Sequence, residues 1–197
     1  VAMGTYGSYA TFFLNWLVVY LMQTYGISRD YAASFALASA VGAILGTSAL
    51  GFLSDRIGSR RIPIRTATCI SLLGFLLIVL WNGGKPPLAA FWPISFIIGF
   101  NIGAMPVNFA TVRDTVAPEI RGMAAGLVNM GAFLGGAAVQ PVFGRVLDAY
   151  WAGEMLGDIR HYPVEAFRMA TLLPTGLMAL GFLGAGRATA ADAAVDP

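Results

Sequence analysis

Charge is what this chain has least of. Asp, Glu, Lys and Arg make up 11% of its 197 residues and hydrophobic residues 57%, whereas a soluble domain carries roughly 25% charge. So few charges would struggle to cover a water-facing surface. Cysteine is nearly absent too: the lone Cys69 excludes an intrachain disulfide, and inside an apolar stretch it reads as a small packing residue. The lone histidine, His161, stands among charged loop residues with no second ligand near it in the sequence, so no metal and no cofactor is expected. With no nucleophile and base pair, metal cluster or phosphate loop, the pattern argues against an enzyme. At a net charge of +2 the basic residues form no patch of the kind nucleic acid requires.

What is present is apolar length. Six stretches hold no charged residue: 4–23, 31–53, 66–84, 88–112, 123–144 and 169–186. Each is near the ~20 residues a helix needs to cross ~30 Å of hydrocarbon. A transmembrane β-barrel would instead show segments of about 10 residues alternating in polarity. The pattern therefore predicts an all-α membrane protein of six transmembrane helices in contact with the lipid bilayer. Residues 1–188 would form one bundle and residues 189–197, small and polar, a disordered cytoplasmic tail. No polar leader precedes the first span and the chain begins at Val1, which leads us to expect a piece of a longer protein.

Basic residues in short loops orient such a protein. Arg56, Arg60, Arg61 and Arg65 follow span two, Arg113 and Arg121 follow span four, and Arg187 lies in the tail; Arg29, Lys85, Arg145, Arg160 and Arg168 occupy the other side. The first group predicts the cytoplasmic face, with both ends of the chain on it, in a bacterial inner (plasma) membrane.

Small residues predict where helices touch. Gly42 and Gly46, Gly99 and Gly103, Gly122 and Gly126, and Gly131 and Gly135 are each four apart, the spacing that lets helix backbones close in lipid. Pro93, Pro106, Pro141 and Pro174 fall inside spans and predict kinks. Uncharged polar residues fall on stripes at helical spacing: Ser8, Phe12, Asn15, Val19 and Gln23 along span one, and Asn101, Met105 and Asn108 along span four, while span five carries Asn129 and Gln140. An amide in hydrocarbon needs a partner, so these residues face water or hydrogen-bond another helix.

The densest charge cluster runs from Gly51 to Arg61, with Asp55, Arg56, Gly58 and Arg60 between. This spacing, placed after the second span, resembles the signature loop of the major facilitator superfamily of secondary transporters, with Ser59 where a basic residue is usual. Arg113, Asp114, Pro118, Glu119, Arg121, Gly122, Gly126 and Asn129 are similar to the loop and helix start found in the C-terminal halves of that family. The resemblance implies that the chain is one half, helices seven to twelve, whose partner is an N-terminal six-helix half of the same transporter. It implies transport of a small-molecule solute by alternating access, as symport or antiport, with a coupling proton or other ion among the partners that class allows. Because the family's seventh and tenth helices line the cavity, the resemblance also makes the stripes on spans one and four, with Asn129 and Gln140 of span five, the candidate substrate path. In this reading Gly51 lets helices close at the cytoplasmic end, Gly58 permits a sharp reversal, and Asp55 makes contacts available in only one rocking state. The same arginines also serve to set topology and to bind anionic head groups. Residues 136–144 loosely resemble the glycine and proline motif of the family's drug antiporters and are read as a packing and kink feature. The alternative function is a non-transporting membrane sensor or assembly module that keeps the fold.

Overall fold

Six helical passes follow one another, joined by short connections. The structure, a computed structural model, describes residues 1–157 and 159–193, and side chains up to residue 185. The first pass is α1 (Ala2–Tyr9), a π-helical segment (Ala10–Trp16) and α2 (Leu17–Tyr25). The second is α3 (Arg29–Ile57) and the third α4 (Arg61–Leu80). The fourth is broken into α5 (Phe91–Ile102) and α6 (Met105–Thr115). The fifth is α7 (Arg121–Ala149) and the sixth α8 (Val164–Ala193).

Among the described residues, five passes are long and apolar enough to cross a membrane. In the first pass helical structure runs unbroken from Ala2 to Tyr25, but its α pieces are only 8 and 9 residues long because the hydrogen-bonding register changes between them. The tail expected from residue 189 is helical as far as Ala193, and residues 194–197 lie outside the described residues.

Local sequence explains several boundaries. Ser28 accepts a hydrogen bond from the Tyr31 amide and opens α3, with Asp30 in the first turn, where a negative charge suits the helix dipole. Gly58 closes the same helix at φ +68°, a conformation that costs glycine nothing and other residues about 1 kcal/mol or more. Pro106 sits in the first turn of α6, just past the break in pass four. Pro93 lies near the start of α5, whereas Pro141 and Pro174 are carried inside α7 and α8 without ending them.

The tightest packing is where glycines were expected to let helices close. A Cβ on Gly46 would lie 1.9 Å from the Phe100 carbonyl oxygen, and one on Gly99 would lie 1.9 Å from that of Ser39. A Cβ on Gly42 and one on Gly103 would meet opposing backbone at 2.2 and 2.3 Å, so α3 and α5 cross with nothing between their main chains. Gly7 meets Gly135 in the same way, and Gly4 meets Gly181, which seats α1 against α7 and α8. The other expected pairs behave differently. A Cβ on Gly122, Gly126 or Gly131 would meet nothing within 4 Å among the described residues, because that side of α7 is turned away from this bundle.

An aromatic core fills the end opposite the signature loop. Phe12, Phe75, Tyr20, Phe91, Phe35 and Phe167 are all buried and meet edge to face or tilted, the geometries ring quadrupoles prefer. The Tyr20 hydroxyl donates to the Gly84 carbonyl at 2.8 Å, and that of Tyr25 to Pro86. These bonds tie α2 to the connection between α4 and α5. Gln23 ties it to the last connection, donating to the Arg160 carbonyl and accepting from the Tyr162 amide, both at 2.9 Å. There a short hairpin of β1 (Met155–Leu156) and β2 (Ile159–Arg160) is pinned by Asp148, which accepts from Arg160 at 2.6 Å and from Tyr162 at 2.8 Å.

Candidate functional site

The signature loop folds around one arginine. Where α3 gives way to α4, Ser54 is buried and donates its hydroxyl to the Ser59 carbonyl at 3.1 Å, holding the turn that Gly58 makes possible. That turn delivers Arg60 to three acceptors. Its Nη1 donates to Ser54 Oγ at 3.2 Å and to Asp55 Oδ1, and its Nε donates to Asp114 Oδ2 at 3.0 Å. A guanidinium fork suits this task, since its donors diverge in one plane toward separate carboxylates. The two carboxylates hold Arg60 protonated beyond its ordinary range, Asp55 contributing most and Asp114 next.

Asp55 closes α3 and Asp114 lies at the end of α6, so Arg60 joins two connections at one end of the bundle. The two charge clusters are thus a single site. Arg113 adds a longer contact to Asp114 at 3.4 Å, and Arg121 opens α7 by donating to the Val116 carbonyl at 3.1 Å. Glu119 lies in the 3-10 turn Pro118–Ile120, and Arg56 is exposed in the last turn of α3. Gly51 and Gly122 face open space among the described residues. Among the described residues no helix closes on Gly51, so the closure expected there is not made within them.

Beside this cluster lies a cleft of about 700 Å³. Arg60 and Arg61 line it together with Thr111, Asp114 and Thr115 of α6 and Leu127 and Gly131 of α7. Asn108 reaches the same cleft and contacts Met105 Sδ at 3.8 Å. Asn101, Met105 and Asn108 also surround a separate void of about 10 Å³, so the three residues expected along span four do share one locus. They do so across the break at residues 103–104 rather than along one regular helix.

The first pass departs further from expectation. Ser8 and Phe12 are fully buried within the bundle, Ser8 donating to the Gly4 and Pro174 carbonyls, both at 2.6 Å. Asn15 is exposed and Gln23 serves the last connection. The expected stripe assumes a period of 3.6, and the π segment from Ala10 to Trp16 widens the turn and rotates the later residues of the pass onto another face. Asn15 exploits that widening: its Nδ2 donates to the Ala10 carbonyl at 2.6 Å and to Gln140 Oε1 at 3.0 Å, joining α7. Trp16 stacks on Phe143 with ring centres 5.2 Å apart, in the residues next to that pair. Asn129 stands exposed on α7.

Sequence reasoning overlooked Ser54, Thr111 and Thr115. A Ser one residue before the signature Asp was the available signal for the first. A threonine pair four apart between Asn108 and Pro118 was the signal for the others.

Comparison with known proteins gives the family. The family model described as Major Facilitator Superfamily matches residues 1–193. The chain is 30% identical over 161 residues to GudP of Escherichia coli (strain K12), named for galactarate/D-glucarate transport, covering 79% of this chain and 35% of GudP. It is 27% identical over 110 residues to NiaP of Bacillus subtilis (strain 168), named for niacin/nicotinamide transport, covering 55% of this chain and 26% of NiaP. The chain thus spans about a third or less of these relatives' length. No solved structure matches.

Proposed function

The chain belongs to the major facilitator superfamily, and from that premise we propose that it is the C-terminal six-helix half, helices seven to twelve, of a secondary transporter. It moves a small solute by rocking against an N-terminal six-helix half. The observation that carries this reading is Arg60, which joins Asp55 and Asp114 beside a cleft of about 700 Å³. A sensor or assembly module would need the helices, but it would have no use for exposed charges bridging two connections next to a cleft of solute size.

The solute is a small, oxygen-rich polar molecule such as a sugar acid or a pyridine carboxylate or its amide. The relatives' names, one for galactarate/D-glucarate and one for niacin/nicotinamide, support that reading. The groups this half offers, Asn15, Asn101, Asn108, Asn129 and Gln140, are neutral amides suited to hydroxyl, carboxyl and amide oxygens. The six apolar stretches hold no acid or base, so charge recognition and coupling to a proton or other ion belong to the other half. The signature end lies in the cytoplasm of a bacterial inner membrane, and both ends of this chain are on that side.

Uptake into proteoliposomes carrying the full-length protein tests the reading, with radiolabelled D-glucarate and niacin as probes and an inside-alkaline gradient imposed or omitted. Saturable uptake that Asp55→Asn depresses supports it, and acceleration by the gradient identifies proton symport. Vesicles that neither take up nor exchange either probe, while the protein is folded and inserted, would favour the sensor alternative.

A further inference from the structure

Among the described residues four buried side chains keep a polar atom without a hydrogen-bond partner, Trp16, Thr24, Ser95 and Asn101, and of these Asn101 is the one that lines a void. It is 8% exposed, and its Nδ2 has no hydrogen-bond partner among the described residues. A buried amide left so is costly enough that native interiors rarely tolerate it. It occupies the last turn of α5, just before the break, where the Gly103 and Ala104 amides fall back on carbonyls three residues earlier, those of Phe100 and Asn101. Asn101 also lines the void of about 10 Å³. That volume is about what one water needs, and an empty cavity of such size is normally apolar.

This void is not apolar. Thr5 of α1, Thr68 and Ser71 of α4, and Asn108 of α6 share its lining. Thr68 and Ser71 are themselves buried, and Thr68 has its proton committed to the Ile64 carbonyl at 2.7 Å, which leaves the hydroxyl oxygen as an acceptor. A residue with an unpaired N–H donor therefore lines a pocket that also offers hydroxyl acceptors. A cation would be repelled by the donor, and a methyl group would leave it unpaired. A single oxygen answers both requirements, accepting from Asn101 and donating to the hydroxyls opposite. Asn108 lines both this void and the cleft of about 700 Å³, so the two adjoin.

We propose that the void at Asn101, Thr68 and Ser71 is a one-oxygen binding site at the inner limit of the cleft. It takes a water molecule or the terminal oxygen of a bound solute. The site lies between α4 and the break that separates α5 from α6, so the oxygen pairs the Asn101 side chain beside that break. The water arm stands on packing alone; the solute arm rests on the transport reading above.

A double-mutant cycle on the purified full-length protein without solute tests the site, using Asn101→Leu, Ser71→Ala and the pair, followed by thermal unfolding. If one oxygen bridges the two residues, each single change lowers Tm by roughly 2–6 °C and the pair by clearly less than the sum. If Asn101 is merely an unpaired amide in a dry void, Asn101→Leu leaves Tm unchanged or raises it and the effects add, which overturns the proposal. Should Asn101→Leu fail to fold, Thr68→Val with Ser71→Ala runs the same cycle with smaller changes in shape, and additivity again overturns it. Uptake kinetics then separate the two sources of the oxygen. A several-fold rise in KM at unchanged kcat for Asn101→Leu assigns it to the solute; an unchanged KM with the coupled loss of Tm assigns it to water. If the protein carries no solute at all, the thermal cycle still decides the site.

Discussion

Arg60 donates through Nε to Asp114, 54 residues away in sequence, at 3.0 Å, and in doing so links the turn after α3 to the end of α6. Asp55 and Asp114 are largely exposed, and exposed ion pairs add little to stability. On the transport reading proposed above, their effect is on which arrangement of the two connections is favoured, since the contact exists only when both lie within reach of one guanidinium. We expect Asp114→Asn and Asp55→Asn each to lower uptake by roughly tenfold at normal expression and unchanged Tm. Arg60→Lys should do the same, because a lysine presents a point charge and cannot hold two separated carboxylates as a fork does. Steady uptake in all three, measured in the same vesicles, would reduce the loop to a topology signal.

The crossing of α3 and α5 makes a sharper stability prediction. Gly46→Ala or Gly99→Ala drives a methyl group to 1.9 Å from a backbone oxygen that no rotamer change can move. Overpacking of this kind costs about 1–3 kcal/mol, and the two helices must separate to relieve it. Gly176→Ala, on α8 with nothing within 4 Å, is the control and should leave Tm unchanged. Equal Tm for Gly46→Ala and Gly176→Ala would show that the two helices do not meet at their glycines.

The spans were legible in the sequence because hydrocarbon tolerates almost no charge, so the charged residues mark the connections. Gly42, Gly46, Gly99 and Gly103 were legible because close approach leaves a four-residue spacing. The link from Arg60 to Asp114 was not, since no local period relates residues in different connections. Nor was the π segment from Ala10 to Trp16, which is a change of backbone register with no compositional mark, and it misdirected the stripe drawn through Ser8, Phe12 and Asn15. Gly122 and Gly126 carry the right spacing yet touch nothing described. A spacing shows that a helix can be approached closely and does not say by which partner.

Asn15 and Gln140 share one hydrogen bond, so their removal should not be additive. Asn15→Leu and Gln140→Leu each break the 3.0 Å contact at a cost of about 1 kcal/mol or less. Both should depress uptake, and the double variant should be little worse than either single one. Uptake equal to the parent in all three would assign the pair to helix packing.

At the opposite end, Gln23 holds the last connection by two backbone hydrogen bonds of 2.9 Å. Gln23→Ala removes both and leaves the Tyr162 amide without that acceptor. Hydrogen exchange of this amide should quicken by roughly tenfold while the α3–α5 amides keep their protection. An unaltered rate at Tyr162 would mean that the Asp148 contacts alone hold the hairpin.

Orientation and gating can be tested together through Ser59, which is half-buried at the signature turn and lines the cleft, and Glu154, which is exposed at the other end. In a background with Cys69→Ala, Ser59→Cys should resist a membrane-impermeant maleimide in intact cells and react in inverted vesicles, whereas Glu154→Cys should behave in the opposite way. The reverse pattern would overturn the cytoplasmic placement of the loop and, with it, the mapping onto helices seven to twelve. The same assay reads the gate. If the contacts of Arg60 with Asp55 and Asp114 hold the two connections together on the cytoplasmic side, removing one carboxylate shifts the population toward the state open on that side. Asn108→Cys, which lines the cleft, should then label faster in inverted vesicles when combined with Asp55→Asn, by about the factor that uptake loses. Slower labelling would mean that the charge cluster stabilises the inward-open state instead. An unchanged rate beside a tenfold loss of uptake would place the effect of Asp55 outside the gate.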